Sequence, residues 1–282
     1  MLAASGLFSA MFAMVKALGP GFPNTEAAFF RALLSLPLMA ALLWRSRRST
    51  GLSLRPARPA LMAARGLFGC AAMLGFFYAL PRGKLADLMI ISRTQPIFIT
   101  ILARVILGER ASRLALACLV GGFAGAFLVI KPGLGWLNLP AAIALGAAVL
   151  SALAHLAVRQ LNATDPPLLI VLYFTLIVGT CSGLLSIPVF VVPDLRQLLL
   201  LVALAQCAAF GQLLMTTAYG RDTAPVVAAS AYAIVLYGLL LGYLLWGEMP
   251  DGMALLGGVL IVGAGVVLAF ARRGMVVPPS VS

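Results

Sequence analysis

The chain has 282 residues, of which 62% are hydrophobic and only 10% are charged, and its mean hydropathy is +1.07. A soluble domain has roughly 45–50% apolar and about 25% charged residues, so this composition excludes a soluble globular fold. The net charge is +12, but the basic residues cluster between apolar runs, which argues against nucleic acid as a partner and is typical of a membrane protein's cytoplasmic loops.

A membrane-spanning helix needs about 20 consecutive apolar residues. The sequence predicts ten such helices, at about residues 2–18, 25–44, 60–80, 85–107, 112–130, 137–158, 167–191, 196–218, 223–246 and 252–271. Glycine and proline clusters separate these spans, for example at residues 19–23 and 250–252, and the loops are short. We therefore expect an all-α membrane protein in which consecutive helices run antiparallel.

The distribution of basic residues predicts the orientation of the chain in the membrane. With both termini placed in the cytoplasm, most of the lysines and arginines between the spans lie on the cytoplasmic side. The loop at residues 45–58 carries most of this bias. We therefore expect a multi-pass protein with both termini in the cytoplasm, in contact with membrane lipid.

Two Gly-Glu pairs mark an internal repeat. Gly108-Glu109 and Gly247-Glu248 each close a long apolar run, and each precedes a further apolar helix. Spans five to nine lie between them, an odd number, so the two pairs fall on opposite faces of the membrane. This pattern predicts two five-helix repeats, residues 1–131 and 132–282, related by inversion. Repeats of this kind point to a transporter, and we interpret Glu109 and Glu248 as structural corners of the two halves.

Arg93 is the sharpest candidate for a functional residue. A guanidinium at the centre of a bilayer costs about 2.5–3.5 kcal/mol on insertion scales, so it should face the protein interior or water. Gln95 lies beside it, and Pro96 frees the carbonyl of Ser92 and predicts a bend there, although span nine has no matching proline. Arg93 then binds an anion at a kinked mid-membrane site. The alternative is a structural arginine bonded to backbone carbonyls or reaching towards an interface.

Polar side chains also recur on span eight. Gln212, Thr216 and Tyr219 are spaced so that they share one helix face. Two interpretations stay open: the stripe lines a cavity, with Gln212 and Thr216 contacting the solute, or it forms interhelical hydrogen bonds.

Three further side chains are candidate contacts of a solute. Tyr232 in span nine could stack on a flat ligand or donate its hydroxyl, and Tyr78 could do so near the end of span three. His155 in span six could relay protons or bind solute, but a simple hydrogen-bonded histidine with Arg159 one turn further on is the alternative. Arg31 has either a structural role or Glu26 as a partner beside the first outer loop.

No cofactor or metal is expected. The four cysteines lie far apart inside apolar runs and the chain has one histidine, which disfavours a disulfide framework and a metal site. Three Gly-x-x-x-Gly motifs, beginning at Gly121, Gly179 and Gly238, allow close helix contact. We expect them to pack helices within one chain, in a monomer or weak homodimer.

Together these motifs resemble the drug/metabolite transporter superfamily in its EamA-domain branch. The matching signals are Phe29-Phe30-Arg31, Phe77-Tyr78-Ala79-Leu80, Leu85-Ala86-Asp87, Pro96-Ile97-Phe98, Leu107-Gly108-Glu109, Lys131-Pro132-Gly133, Tyr173-Phe174, Gly211-Gln212, Tyr219, Tyr232 and Gly247-Glu248. The resemblance implies ten helices, cytoplasmic termini, an inverted repeat, and a central cavity lined mainly by spans one, three, four, six, eight and nine. Bacterial members resemble riboflavin-type and S-adenosylmethionine-type carriers, which implies the inner (plasma) membrane. Where such relatives are expected to have an apolar or aromatic residue, this chain has Arg93.

The expected function is therefore a secondary transporter, not an enzyme. It would move a small polar or amphipathic metabolite by alternating access through a central cavity, with an anionic or carboxylate-bearing solute favoured by Arg93. A multidrug or amino-acid exporter of the same fold is the first alternative. An intramembrane lipid-modifying enzyme and a non-transporting adaptor are alternatives of other classes. An enzyme would need convergent acids, histidines or metal ligands, and the spans offer few of these.

Overall fold

The computed structural model describes residues 1–19, 21–50, 54–79, 91–130, 139–247, 249 and 251–273, and the regular structure in these ranges is entirely helical. The helices are α1 (Leu2–Leu18), α2 (Asn24–Thr50), α3 (Pro59–Ala79), α4 (Gln95–Ile106), α5 (Arg113–Ile130), α6 (Leu139–Leu161), α7 (Pro167–Ser186), α8 (Leu195–Arg221), α9 (Ala224–Ser230), α10 (Ala233–Trp246) and α11 (Gly252–Arg273), with a 3₁₀ turn at Ile187–Val189.

Seven helical stretches in the described ranges are long and apolar enough to cross a membrane, judged by length and composition. They are Asn24–Arg48, Pro59–Phe76, Arg113–Ile130, Leu139–Leu161, Pro167–Val189, Leu195–Arg221 and Ala224–Trp246. Leu2–Leu18, Gln95–Ile106 and Leu255–Val267 are shorter apolar helices. Large apolar side chains such as Val105 and Val192 are about four-fifths exposed, as a surface that faces lipid requires. The prediction of an all-helical, multi-pass membrane protein is therefore confirmed.

The helices pack in a regular set of pairs. The most extensive contacts join α3 with α6, α1 with α8, α2 with α7, and α5 with α11. Further contacts join α2 with α8, α3 with α7, α1 with α10, and α4 with α6. In terms of the predicted spans, α9 and α10 together are span nine and α11 is span ten. If spans one to five are exchanged with spans six to ten, every one of these contacting pairs maps onto itself or onto another pair in the set.

Glycines bring two of these pairs close together. A Cβ added at Gly125 on α5 would lie 2.6 Å from the carbonyl oxygen of Gly257 on α11, so the two backbones nearly touch. Gly179 and Gly183 on α7 likewise face Ala32 and Phe29 on α2. Two of the three Gly-x-x-x-Gly motifs therefore pack helices within the chain. At Gly238, an added Cβ would meet no described atom within 4 Å.

The predicted ninth span is interrupted. The apolar run predicts one helix over about residues 223–246, but α9 ends at Ser230, α10 begins at Ala233, and Ala231 and Tyr232 form a turn between them. Neither proline nor glycine occupies this turn, so local sequence carries no sign of it. Tertiary contacts of Tyr232 with Arg93 and Gly122 stabilise this interruption.

The fourth span is also interrupted, close to where Pro96 predicted a bend. Residues 91–92 are helical, Arg93 and Thr94 form a turn, and α4 begins at Gln95. The Ile97 N–H donates to the Thr94 carbonyl at 2.9 Å, where a regular α-helix would use the Arg93 carbonyl. Spans four and nine are thus both interrupted, although span nine has no proline at its interruption.

The two Gly-Glu turns have matching backbones at their glycines. Gly108 has φ 69° and Gly247 has φ 66°, in the left-handed region where only glycine is free of strain. Gly247 ends α10 directly, with its N–H donating to the Tyr243 carbonyl at 3.0 Å. Glu109 lies within the described part of the chain, and Glu248 lies outside it.

Candidate functional site

The two interrupted helices meet at Tyr232. Its hydroxyl donates to the carbonyl oxygen of Arg93 at 3.0 Å, the carbonyl that the turn at Arg93 and Thr94 leaves without a helical partner. The side chain is only 1% exposed, and a Cβ at Gly122 on α5 would lie 2.5 Å from its ring. In this conformation Tyr232 faces Gly122 and Arg93. It therefore joins the two interruptions, and its predicted contact with solute stays a prediction.

Arg93 lies in the first interruption with a half-buried side chain. Its guanidinium has neither a hydrogen bond nor an ion pair with the other residues that the structure describes. The alternative of a structural arginine bonded to carbonyls therefore finds no support in these ranges. An arginine fork without a protein partner is suited to a carboxylate or phosphate.

Gln95 and His155 contact each other between α4 and α6. The Gln95 side-chain amide lies 2.8 Å from His155 Nδ1, and the Ser151 carbonyl lies 2.6 Å from the same nitrogen. Because a carbonyl can only accept, the contact with Ser151 favours the neutral ring with its proton on Nδ1. His155 Nε2 approaches Met215 Sδ at 3.2 Å. Two of the predicted site residues are therefore brought together.

The stripe on α8 divides into separate environments. Thr216 is fully buried, and its Oγ1 has no hydrogen-bond partner within the described ranges. Tyr219 is 1% exposed, with its ring centroid 5.4 Å from that of His155. Gln212 instead lines a small cavity of about 20 Å³ between α2, α7 and α8. The structure thus places Tyr219 near His155, while Gln212 lines a cavity between α2, α7 and α8.

Tyr78 differs from the buried site residues in being exposed. Its side chain is 42% exposed, near the end of α3. A role for Tyr78 in solute contact remains a prediction.

Glu109 connects three helices. Its Oε1 accepts from Arg159 Nε at 2.8 Å, and its Oε2 accepts from the Ala224 N–H at 2.7 Å, the first residue of α9. A carboxylate at a helix N-terminus satisfies a free N–H and complements the helix dipole. Arg159 also donates to the Tyr219 carbonyl at 3.2 Å. These contacts support Glu109 as a structural corner.

The second corner is described only in part. Lys16 at the end of α1 places its ammonium 4.3 Å from the ring centroid of Trp246, which directly precedes Gly247. Arg159 stands at the end of α6, five spans later, beside the first corner. Each Gly-Glu turn therefore has a basic residue close by: Arg159 contacts Glu109, and Lys16 contacts Trp246.

Arg65 is a buried charge that is not among the site residues predicted from the sequence. Its side chain is 2% exposed, and its guanidinium carbon lies 4.0 Å from the ring centroid of Phe174. Arg65, like Arg93, is a charge within an apolar span, which is a sign of a functional residue. Unlike Arg93, it has no polar neighbours in the sequence. Glu26 is also buried, and its Oε2 accepts from the Val191 N–H at 3.0 Å, so its carboxylate links the first turn of α2 to the segment after the 3₁₀ turn and does not pair with Arg31.

Comparison with known proteins agrees with this architecture. Residues 1–131 match the EamA-like transporter family. The chain is 34% identical to the pseudopaline exporter of Pseudomonas aeruginosa, over 96% of this chain and 95% of that protein. It is 29% identical to a riboflavin transporter of Rhizobium johnstonii, over 86% and 80% of the two chains. It is 23% identical to an S-adenosylmethionine uptake transporter of Rickettsia prowazekii, over 92% and 87%.

A solved crystal structure has the same fold. It superposes with a TM-score of 0.78 at 21% identity and covers 98% of this chain and 99% of its own. The extent of the sequence match to transporters over nearly the whole chain is decisive for the family. The chain belongs to the EamA-like transporter family.

Proposed function

We propose that this chain is a secondary transporter that moves a small polar metabolite with an anionic or carboxylate group across the bacterial inner membrane by alternating access. The observation that carries the proposal is the hydrogen bond from Tyr232 to Arg93, because it joins two interrupted helices. In many transporters the substrate site lies where such helices are interrupted near mid-membrane. Arg93 supplies a forked donor for an anion at this place.

The proposal includes two inverted five-helix repeats, residues 1–131 and 132–282. Three observations support it: the helix pairs that map onto one another, the left-handed Gly108 and Gly247, and the interruptions at Arg93 and Tyr232. Cytoplasmic termini would put Glu109 at the cytoplasmic face. The contacts of Glu109 with Arg159 and Ala224 would then close that face, and alternating access would require them to separate.

The described acids lie at helix ends or in loops: Glu26, Glu109, Asp165, Asp194, Asp222 and Asp251. Among these residues there is thus no carboxylate at mid-membrane to carry a coupling proton. We therefore propose exchange, facilitated diffusion or the membrane potential as the driving force.

For the solute, similarity to the pseudopaline exporter favours a molecule of that kind, with export as the direction. Riboflavin and S-adenosylmethionine are the competing solutes, from the names of more distant relatives. A multidrug or amino-acid exporter of the same fold is the alternative within this class.

The test uses purified protein reconstituted into liposomes loaded with pseudopaline, riboflavin, S-adenosylmethionine or an amino-acid mixture, with solute movement measured by mass spectrometry. We expect one anionic solute to move, and Arg93→Leu to reduce its rate by about tenfold or more, as the loss of a charge-assisted hydrogen bond implies. Arg104→Leu is the matched control, because Arg104 is an exposed arginine on α4, eleven residues after Arg93 in the same predicted span. Folded protein that moves none of these solutes would contradict the proposal.

A further inference from the structure

A second group of cations lies on helices other than the interrupted ones. Arg31 on α2 and Arg65 on α3 both stand within apolar helices, and the charge of Arg31 acts on Arg65. Arg65 is 2% exposed, and its Nε has no hydrogen-bond partner in the ranges that the structure covers. Two like charges in a nonpolar region destabilise each other unless an anion compensates them.

The small cavity beside these arginines has polar walls. Arg31 and Ser35 of α2, Thr175 of α7 and Gln212 of α8 line it, together with Phe174 and three alanines. Within the described part of the chain, Arg31 and Gln212 have no hydrogen bond or ion pair. At about 20 Å³, the space admits one water-sized group, such as a single oxygen atom of a carboxylate.

Gly69 gives Arg65 the room to reach this region. A Cβ at position 69 would lie 2.7 Å from Arg65 Nη1 and 2.7 Å from the Phe174 ring. Glycine in a helix interior is destabilising relative to alanine, so its presence here has to be offset by the packing it permits. That packing sets the Arg65 guanidinium over Phe174, whose side chain forms part of the cavity wall.

Within the described ranges these donors have no hydrogen-bond acceptor. Arg65 Nε is unpaired, and the side chains of Arg31 and Gln212 make no hydrogen bond or ion pair there. Glu26, the acid on α2, binds the Val191 N–H through Oε2, and its Oε1 has no partner in these ranges. A buried guanidinium is stable when a carboxylate or phosphate accepts from it. No described residue supplies such an acceptor to these three side chains.

We propose that Arg31, Arg65 and Gln212 form an anion site that binds a carboxylate group of the transported solute, between α2, α3, α7 and α8. This inference rests on the proposed transport function, but it names a site on helices other than those that carry Arg93 and Tyr232. Gln212 acts here as a neutral donor that can be converted into a built-in anion by a single isosteric change.

The experiment measures the thermal stability of purified protein in detergent with glutarate as the probe and glutaramide as its uncharged isostere. Wild-type protein should melt higher with glutarate and should not respond to glutaramide. Arg31→Gln and Arg65→Gln should each weaken the apparent glutarate affinity by about tenfold or more. Arg104→Gln, on an exposed arginine, should leave it unchanged.

Gln212→Glu tests the site without relying on a ligand. If the arginines lack an anion, the new carboxylate pairs with them, so the variant melts higher than wild-type protein and no longer responds to glutarate. If the region has no need of an anion, a buried carboxylate destabilises it and the variant melts lower. This variant therefore tests for the anion site even if Arg65→Gln fails to fold.

Three results would overturn the anion site: no response of wild-type protein to glutarate, unchanged glutarate affinity in Arg31→Gln, or a lower melting temperature in Gln212→Glu. Stabilisation by inorganic phosphate but not glutarate would overturn the assignment to a carboxylate. If the proposed transport function fails instead, the protein should still bind glutarate at this site although its liposomes move no solute.

Discussion

The Tyr232 hydroxyl takes the place of a helical N–H at the Arg93 carbonyl. The two atoms are 3.0 Å apart, and the Ile97 N–H that would normally fill this position donates to Thr94. A side chain from the ninth span thus satisfies a backbone group that the interruption of the fourth span sets free. The geometry of one interruption therefore depends on the other.

Tyr232→Phe should destabilise the protein, because it leaves the buried Arg93 carbonyl without a donor. An unsatisfied buried acceptor costs about 1–3 kcal/mol, so the melting temperature in detergent should fall clearly. Tyr243→Phe is the control, since Tyr243 is 44% exposed on α10 and should tolerate loss of its hydroxyl. Equal melting temperatures for the two variants would show that the hydrogen bond does not hold the interruption.

Gly122→Ala should displace the Tyr232 ring, because the added Cβ would lie 2.5 Å from it. We expect lower thermal stability and slower transport, as the ring and its hydroxyl move together. The adjacent Gly121→Ala is a close control: its Cβ would meet Ala264 at 3.8 Å, an ordinary contact. Transport rates that are the same in both variants would argue that the position of Tyr232 is unimportant for function.

Sequence alone located most of the membrane helices, because the thickness of a bilayer fixes the length of an apolar run. The described bounds of α1, α5 and α11 lie within about two residues of those predicted. The bend near Arg93 was also predictable, since proline removes a backbone donor. The interruption at Tyr232 was not, because it depends on Gly122 and Arg93, which are distant in sequence and close only after folding.

The candidate site shows the same division. Arg93 could be found from the sequence because a charge in an apolar span is conspicuous. Arg65 carried the same signal, but its importance appears only when Phe174, Arg31 and the cavity are seen together. The contact between Gln95 and His155 likewise joins two spans that no local pattern pairs.

Glu109 and Arg159 should be energetically coupled. In a double-mutant cycle with Glu109→Gln, Arg159→Gln and the double variant, we expect a coupling of about 1 kcal/mol, modest because both side chains are partly exposed. Glu109→Ala should lower the melting temperature more than Glu109→Gln, because the amide oxygen can still accept from the Ala224 N–H. Additive single variants would mean that the ion pair does not stabilise this corner.

Gly108→Ala and Gly247→Ala should destabilise the protein by similar amounts. Both glycines have left-handed backbones, at φ 69° and φ 66°, where a Cβ costs roughly 1–2 kcal/mol. Gly146→Ala on α6 is the matched control, because no described atom lies within 4 Å of the added Cβ and a helix interior favours alanine, so its melting temperature should hold or rise. If Gly108 and Gly247 occupy equivalent corners of two repeats, their variants should lose equal stability. A large loss in one and none in the other would separate the two turns and count against their equivalence.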